Sequence, residues 1–211
     1  MPVYMFNSTE FKSPPVHRLI PKACLWPSAQ ALHGLRTLVW SCLSFWQLLS
    51  PAHGQAPVIP PDVLSRAEVI GLYFTPPSDV AGAVMEVIAG AQETVLVQAY
   101  GFTHQGIAQA LVSAHQRGVK VRVLLDHRSR TTNRHVVDIL QTNQVPIRSD
   151  GKHAIAHNKV MVVDGQVVIT GSFNFTNSAQ TRNAENLLVL RSEELANSYT
   201  ENYWLHWNHS Q

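Results

Sequence analysis

The stretch HNKVMVVDGQVVITGSFNFTNSAQTRNAENLLVL, His157 to Leu190, decides the interpretation of this sequence. Two runs of β-branched residues flank Asp164-Gly165, and an Asp-Gly pair in that setting predicts a tight β-hairpin. We take Asp164-Gly165 as a two-residue loop, which pairs Val163 with Gln166. Ionisable side chains also lie inside this β-patterned segment. Burying them lowers the stability of the fold unless they form ion pairs or hydrogen bonds, or belong to a functional site.

The predicted register gathers four polar side chains on one face of the hairpin. It sets Lys159 opposite Thr170 and His157 opposite Ser172, and strand side chains alternate between the two faces. One face therefore carries His157, Lys159, Ser172 and Asn174. An imidazole can attack phosphorus, while ammonium and amide groups donate hydrogen bonds to the non-bridging oxygens of a phosphodiester. The cluster therefore predicts phosphodiester chemistry.

These residues resemble a family signature. The motif H-x-K-x4-D-x6-G-S-x-N belongs to the phospholipase D superfamily, and the sequence matches it at His157, Lys159, Asp164, Gly171, Ser172 and Asn174. From about Glu68 to Trp207, the chain is similar to the bacterial single-motif endonucleases of that superfamily. The resemblance implies an α/β fold, with a phospholipase D-like mixed β-sheet flanked by helices and one motif per chain.

The resemblance also implies catalytic roles. His157 is expected to be the nucleophile that forms a phosphohistidine, and Lys159 and Asn174 are expected to bind phosphate oxygens. Ser172 is expected to support the same phosphate-binding pocket. Glu185 matches the family carboxylate that hydrogen-bonds an active-site histidine and orients its ring.

Asp164 belongs to the motif and is counted with the catalytic residues, but its own context differs from theirs. It lies in the predicted turn, and its strand parity is opposite to that of His157. We therefore expect Asp164 to stabilise the hairpin more than it contacts substrate.

One motif supplies one histidine, whereas the family chemistry uses one histidine to attack phosphorus and another to protonate the leaving oxygen. The resemblance implies a homodimer whose motifs meet across a two-fold axis, with the partner's His157 as general acid. No cofactor is expected, and no metal site is predicted. His153 and His157 form a His-x3-His pair that would converge on a helix, but the segment KHAIAHNK favours a strand or loop.

Patterns elsewhere predict the domain organisation. Apolar runs and amphipathic segments alternate as β-α-β-α-β, which favours a parallel or mixed sheet with helices on its faces. We place the phosphodiesterase domain at residues 57–211.

Residues 1–56 form a predicted leader whose apolar run at residues 38–49 is typical of a signal peptide. We expect an exported protein, periplasmic or secreted. The alternative is a protein anchored to a membrane by the uncleaved leader.

The amino-acid composition excludes some kinds of catalytic and metal site from the predicted domain. The two cysteines of the chain, Cys24 and Cys42, both lie in the leader. A Cys nucleophile and a Cys-ligated zinc site are therefore excluded from the domain. The formal charge of the whole chain is only +2, so binding to a polyanion depends on local clustering of basic residues.

One basic cluster extends from Arg117 to Arg134, and its later members, Arg128, Arg130 and Arg134, follow a predicted strand. Open α/β sheets place their sites at the carboxyl ends of strands, and a basic loop there can follow a phosphate backbone. We therefore predict a nucleic acid substrate that contacts these three arginines. A phospholipase D acting on membrane phospholipid is the alternative, since the same histidine chemistry serves both substrates. A non-catalytic nucleic-acid-binding module is disfavoured by the intact motif.

Overall fold

The computed structural model describes residues 61–211. The predicted leader, with its apolar run at 38–49, lies outside the described residues. Seven strands are described: β1 (Glu68–Thr75), β2 (Thr94–Ala99), β3 (Lys120–Asp126), β4 (Ile147–Asp150), β5 (Lys159–Val163), β6 (Val167–Gly171) and β7 (Glu185–Arg191). The helices of this part of the chain are α1 (Pro61–Arg66), α2 (Val80–Gly90), α3 (Gln105–Gln116), α4 (Arg134–Thr142), α5 (Asn177–Thr181) and α6 (Glu193–His209).

The strands form one mixed sheet in the order β1-β7-β6-β5-β2-β3-β4. Strands β2, β3 and β4 run parallel, and the crossover helices α3 and α4 connect them. Strands β1, β7, β6 and β5 pair antiparallel, and β5 also pairs antiparallel with β2. The predicted α/β class and mixed sheet are confirmed.

Helices cover both faces of the sheet. Helices α2, α3 and α4 pack on one face around a core that includes Val97, Val123 and Met161. Helix α6 packs on the other face against Leu96 and Val160, because alternate residues of each buried strand point to opposite faces. None of the helices described between residues 61 and 211 is long and apolar enough to cross a membrane.

The β5–β6 hairpin differs from its predicted register by one residue. Val163 pairs with Val167, so the loop holds the three residues 164–166. The predicted two-residue loop is therefore wrong. In a regular strand, this shift would place Ser172 on the face opposite Lys159.

Ser172 avoids that consequence because β6 ends at Gly171. A Cβ atom at position 171 would lie 3.0 Å from the carbonyl carbon of Asn186, and its carbonyl oxygen would be nearer still. Only glycine fits where β6 passes β7 so closely. Residues after Gly171 leave the strand, so the alternation rule does not apply to Ser172 and Asn174.

Several strands end or begin at one edge of the sheet, which we call the site edge. Ala99, the last residue of β2, pairs with Lys159 at the start of β5 and with Leu125 near the end of β3. Gly171, the last residue of β6, pairs with Leu187 near the start of β7. The turn that contains Asp164 lies at the other end of the β5–β6 hairpin. The sheet therefore separates the two ends of the sequence motif.

Candidate active site

His157 and Lys159 lie side by side at the site edge. Lys159 Nζ is 3.1 Å from each His157 ring nitrogen and donates to the His157 carbonyl oxygen at 2.9 Å. Lys159 is buried whereas His157 is exposed, so a buried cation stands beside an accessible imidazole. Because Lys159 Nζ is equally far from both ring nitrogens, it lies over the face of the imidazole, and the in-plane lone pair of a neutral ring stays free to attack phosphorus.

Tyr100, directly after β2, contacts both of these residues. Its ring centroid lies 4.8 Å from that of His157 with the planes at 55°. Lys159 Nζ lies 5.6 Å from the same Tyr100 centroid, within the range of a cation–π interaction. Tyr100 therefore restricts the orientations of His157 and Lys159.

The charge of Lys159 is sensitive to its surroundings. Burial lowers the pKa of Lys159 from its ordinary value, and the nearby Glu185 carboxylate acts in the opposite direction. A bound phosphodiester anion would favour the charged ammonium in the same way as Glu185 does. The charged ammonium of Lys159 and an anion bound beside it would therefore stabilise each other.

Asn174 is oriented by the backbone of Gly101. Its Oδ1 accepts from the Gly101 N–H at 3.3 Å, and because a backbone N–H only donates, the amide nitrogen of Asn174 faces the other way. A Cβ atom at position 101 would lie 3.1 Å from Asn174 Oδ1 and 3.3 Å from Asn174 Cβ. The glycine therefore permits the contact that presents Asn174 Nδ2 as a donor.

Ser172 is tied to Glu185 at the start of β7. Ser172 Oγ donates to Glu185 Oε2 at 2.6 Å and accepts from the Asn186 N–H at 3.0 Å. Glu185 Oε1 accepts from Asn183 Nδ2 at 2.9 Å. Since Glu185 takes the one hydroxyl proton of Ser172, we assign Ser172 to holding this carboxylate and not to direct phosphate binding. The expected hydrogen bond from Glu185 to an active-site histidine stays a prediction.

Asp164 lies at the turn, away from the site edge. Its Oδ1 accepts from the N–H groups of Glu93 and Thr94 at 2.8 and 2.9 Å, and its Oδ2 accepts from the Gln92 N–H at 2.9 Å. Burial by itself would raise the pKa of Asp164, but these three donors lower it below its ordinary value. The carboxylate therefore ties the hairpin turn to the loop before β2 and lies apart from the side chains at the site edge.

The loop after β3 brings arginines to the site edge. Arg128 and Arg130 are exposed in this loop, and Arg134 is exposed at the start of α4. Arg134 Nε lies 4.0 Å from Asp138 Oδ2, an ion pair at the surface that is worth little in stability. The three predicted contacts for nucleic acid are thus all accessible.

Asp126 joins the arginine loop to the segment that carries His157. Its Oδ1 accepts from the Arg128 N–H at 2.8 Å, and its Oδ2 accepts from the Ala156 N–H at 2.7 Å. Ala156 directly precedes His157 in the chain. One buried carboxylate therefore sets the position of both loops.

Two other members of the basic cluster stabilise the fold. Arg117 donates to three backbone carbonyl oxygens at the end of α2, which are those of Ile88, Ala89 and Ala91. The Arg122 guanidinium lies 5.3 Å from the ring centroid of Trp204 on α6. These two residues are therefore separated from the arginines of the site edge.

Sequence reasoning did not identify Tyr100, Gly101 or Asn133 as part of the site. Buried Asn133 accepts from the Phe102 N–H at 2.8 Å and donates to the Tyr100 carbonyl oxygen at 2.8 Å, so it fixes the segment after β2. The available signal was the position of Tyr100 and Gly101 directly after a buried strand, at the carboxyl end where sites usually form.

His153 turns away from His157. Its Nδ1 lies 2.9 Å from Asp150 Oδ2, and the same carboxylate lies beside His206 and His209 of α6. The His153–His157 pair that the sequence suggested as possible metal ligands therefore does not form.

Known proteins share this fold and motif. The family described as "Cardiolipin synthase, PLD-like domain" matches residues 84–207. A Rickettsia conorii protein named phospholipase D is 43% identical over 142 residues, which cover 67% of this chain and 70% of that protein.

Two solved bacterial structures are also similar. The phospholipase D family member Nuc from Salmonella typhimurium has a TM-score of 0.66 and 34% identity, covering 69% of this chain and 97% of Nuc. NucT from Helicobacter pylori has a TM-score of 0.61 and 25% identity, covering 68% of this chain and 98% of NucT. The motif residues at the site edge all fall inside the family match at 84–207.

Proposed function

Because the chain belongs to the phospholipase D superfamily and is a phosphodiesterase of that family, we propose that it is a metal-independent, non-specific endonuclease. It hydrolyses DNA or RNA through a phosphohistidine intermediate. The observation that carries the proposal is that one sheet edge holds accessible His157 beside the Lys159 ammonium and the exposed arginine loop. Lys159 and Asn174 supply the hydrogen-bond donors that stabilise charge on the transferring phosphoryl group.

In the first step, a ring nitrogen of His157 attacks phosphorus and forms a P–N bond. The P–O bond to the leaving nucleoside breaks, and its electron pair goes to the leaving oxygen. That oxygen takes a proton from the imidazolium of the partner subunit's His157. Water then attacks phosphorus, gives a proton to the now neutral imidazole, and the P–N electron pair returns to His157.

A homodimer completes this scheme because each chain contributes one motif histidine. An apolar strip on β1 offers a surface for the second copy, since Leu72 and Phe74 are 55% and 56% exposed. Strand β1 reaches the site edge, where Thr75 pairs directly with Glu185. A second copy bound to this strip would bury apolar area next to the site.

The arginine loop supports a nucleic acid substrate. Side chains that meet phosphates give affinity that is largely independent of sequence and falls with added salt. Arg128 and Arg130 are exposed, and their loop is tied through Asp126 to the segment before His157. The nucleic acid backbone would therefore pass the arginines and the nucleophile together.

A membrane phospholipid is the second candidate substrate. Ile155, two residues before His157 in the chain, is 49% exposed, so this loop offers an apolar side chain to a lipid surface. The Rickettsia relative is named phospholipase D. The same two histidine steps apply, with the headgroup alcohol as the leaving group. For either substrate, we propose that the protein acts after export or while held at a membrane by an uncleaved leader.

The test compares three substrates under one condition. Purified protein is incubated in excess chelator with supercoiled plasmid DNA, with RNA, and with phosphatidylcholine vesicles that contain cardiolipin. We expect the plasmid to be nicked and the RNA degraded, with the lipids unchanged and with His157→Ala as the inactive control. Headgroup release without nucleic acid cleavage would instead favour the phospholipase. If chelator abolished all hydrolysis while the Tm and the circular dichroism spectrum stayed unchanged, the metal-independent mechanism would be wrong.

A further inference from the structure

Four potential metal ligands that are not part of the motif converge at the end of β4. Asp150 ends β4, His153 lies in the following loop, and His206 and His209 lie in the last turn of α6. Their ligand atoms all lie within 4.8 Å of one another. We propose that these residues, here the Asp150 cluster, bind one divalent transition-metal ion of the zinc type. The catalytic scheme above uses none of them, so this proposal does not depend on it.

The distances in the Asp150 cluster are near those of tetrahedral coordination, and because ligand atoms lie up to 4.8 Å apart, the side chains would shift inward around a bound ion. Nδ1 of His153 and Nδ1 of His206 lie 2.9 and 2.8 Å from Asp150 Oδ2, and His209 Nε2 lies 3.3 Å from Asp150 Oδ1. Zinc–ligand bonds of about 2.0–2.1 Å place neighbouring ligand atoms roughly 3.3 Å apart. Three imidazole nitrogens and one carboxylate oxygen fill four positions, which is typical of a closed structural site.

Hydrogen bonds alone do not satisfy the Asp150 cluster. His209 Nε2 is buried and has no hydrogen-bond partner among the described residues, although it points to within 3.3 Å of Asp150 Oδ1. The rings of His153 and His206 stack with centroids 4.6 Å apart at 26°, and both Nδ1 atoms lie within 2.9 Å of Asp150 Oδ2. A metal ion between these groups would give His209 Nε2 a partner.

The local structure holds the ligands in place. Asp150 is fully buried, and its Oδ1 also accepts from the Lys152 N–H at 3.0 Å, an outer contact of the kind that orients metal ligands. His206 and His209 are three residues apart on α6, so their side chains share one helix face. They lie at the carboxyl end of the helix, where the helix dipole favours a cation.

A bound ion would connect α6 to the segment that carries the nucleophile. A cleft of about 710 Å³ is lined by Lys152 and His209 and gives an ion a route from solvent. The loop from Asp150 to His157 is already tied to Asp126 through Ala156. The ion would fasten the other end of this loop to α6. Its role is therefore structural, and phosphoryl transfer remains with the motif residues.

The test uses protein purified without a histidine tag. Its metal content is measured by mass spectrometry, and protein stripped by chelator is titrated with Co²⁺, whose visible absorption reports tetrahedral coordination. We expect about one Zn²⁺ per chain and saturation by about one Co²⁺. The Tm in Zn²⁺ should exceed the Tm in chelator by at least about 5 °C.

Matched variants identify the ligands. His206→Ala and His209→Gln should each lose stoichiometric metal and the Zn²⁺-dependent rise in Tm. His135→Ala removes an exposed histidine of α4 and should keep both. Retention of the ion in both ligand variants would overturn the proposal. So would wild-type protein that takes up neither Zn²⁺ nor Co²⁺ and shows no change in Tm, a result that stands even where a variant fails to fold.

Discussion

The two ends of the β5–β6 hairpin carry parts of one sequence motif, but their side chains have different roles. At the site edge, His157 is exposed and Asn174 keeps an amide donor available. At the turn, both oxygens of Asp164 are occupied by backbone N–H donors. A side chain with free donors or lone pairs can act on a substrate, whereas one satisfied by backbone groups stabilises the fold. The motif therefore contains side chains whose polar groups stay available to a substrate and one whose polar groups bind the backbone.

The largest expected effect is at the site edge. His157→Ala should lower turnover by at least about 10⁴-fold, because it removes the group that forms the bond to phosphorus. The histidine is exposed, so its truncation should leave the Tm and the elution volume in size-exclusion chromatography unchanged. Turnover is measured as nicking of plasmid DNA.

Asp164→Asn is the matched variant at the turn. Its activity per folded chain should stay within about twofold of wild type, because Asp164 lies outside the site. If a folded Asp164→Asn protein were as inactive as His157→Ala, the division between the two ends of the hairpin would be wrong.

Mixing subunits tests whether the site edge needs a second copy. A large excess of His157→Ala chains should draw wild-type chains into heterodimers that keep a nucleophile but lack the general acid. Activity per wild-type chain should then fall by about 10²–10⁴-fold, the usual contribution of acid–base catalysis. The turn needs no partner, so excess Asp164→Asn chains should not inhibit. Constant activity after confirmed subunit exchange would mean that each chain works alone.

The smallest effect concerns stability at the turn. Asp164→Ala should lower the free energy of unfolding by about 2–4 kcal/mol, because three backbone donors lose their acceptor. Asp164→Asn should cost about 1–2 kcal/mol, since asparagine tolerates the positive φ of 53° but sets an N–H₂ group against one donor. Urea denaturation measures both values. Equal stability of all three proteins would contradict the assigned role.

The same contacts give this stability difference a pH dependence. The pKa of Asp164 is lowered in the folded protein from its ordinary value of 3.8. A lowered carboxyl pKa stabilises the fold above the ordinary pKa, and that stabilisation is lost as the pH falls through the folded-state pKa. The gap between wild type and Asp164→Asn should therefore narrow in acid.

Only some of the residues at the site could be predicted from the sequence. His157, Lys159 and Asn174 were found because their spacing within one hairpin is a local property. The prediction that Lys159 and Ser172 share one strand face depends on a hairpin register that differs by one residue from the register of the structure. The two residues still reach the same edge because the chain leaves the strand after Gly171.

Other members of the site depend on contacts between distant segments. Tyr100 and Gly101 follow β2, and pairing of β2 with β5 brings them close to His157. The Asp150 cluster unites a loop with the far end of α6, and its short His-x2-His spacing is weak evidence until the helix is seen to pack there.

The sequence by itself determined the α/β class, the hairpin, the family motif and the residues that can attack and bind a phosphodiester. These follow from the period and spacing of neighbouring residues, because local backbone geometry fixes which side chains share a face and where a turn forms. Only the tertiary structure decided which backbone groups bind Asp164, that Ser172 holds Glu185, that Arg117 and Arg122 lie apart from the site, and that three histidines surround Asp150. Those roles depend on which atoms meet across the folded chain and which hydrogen bonds they complete, and neither is a property of local sequence.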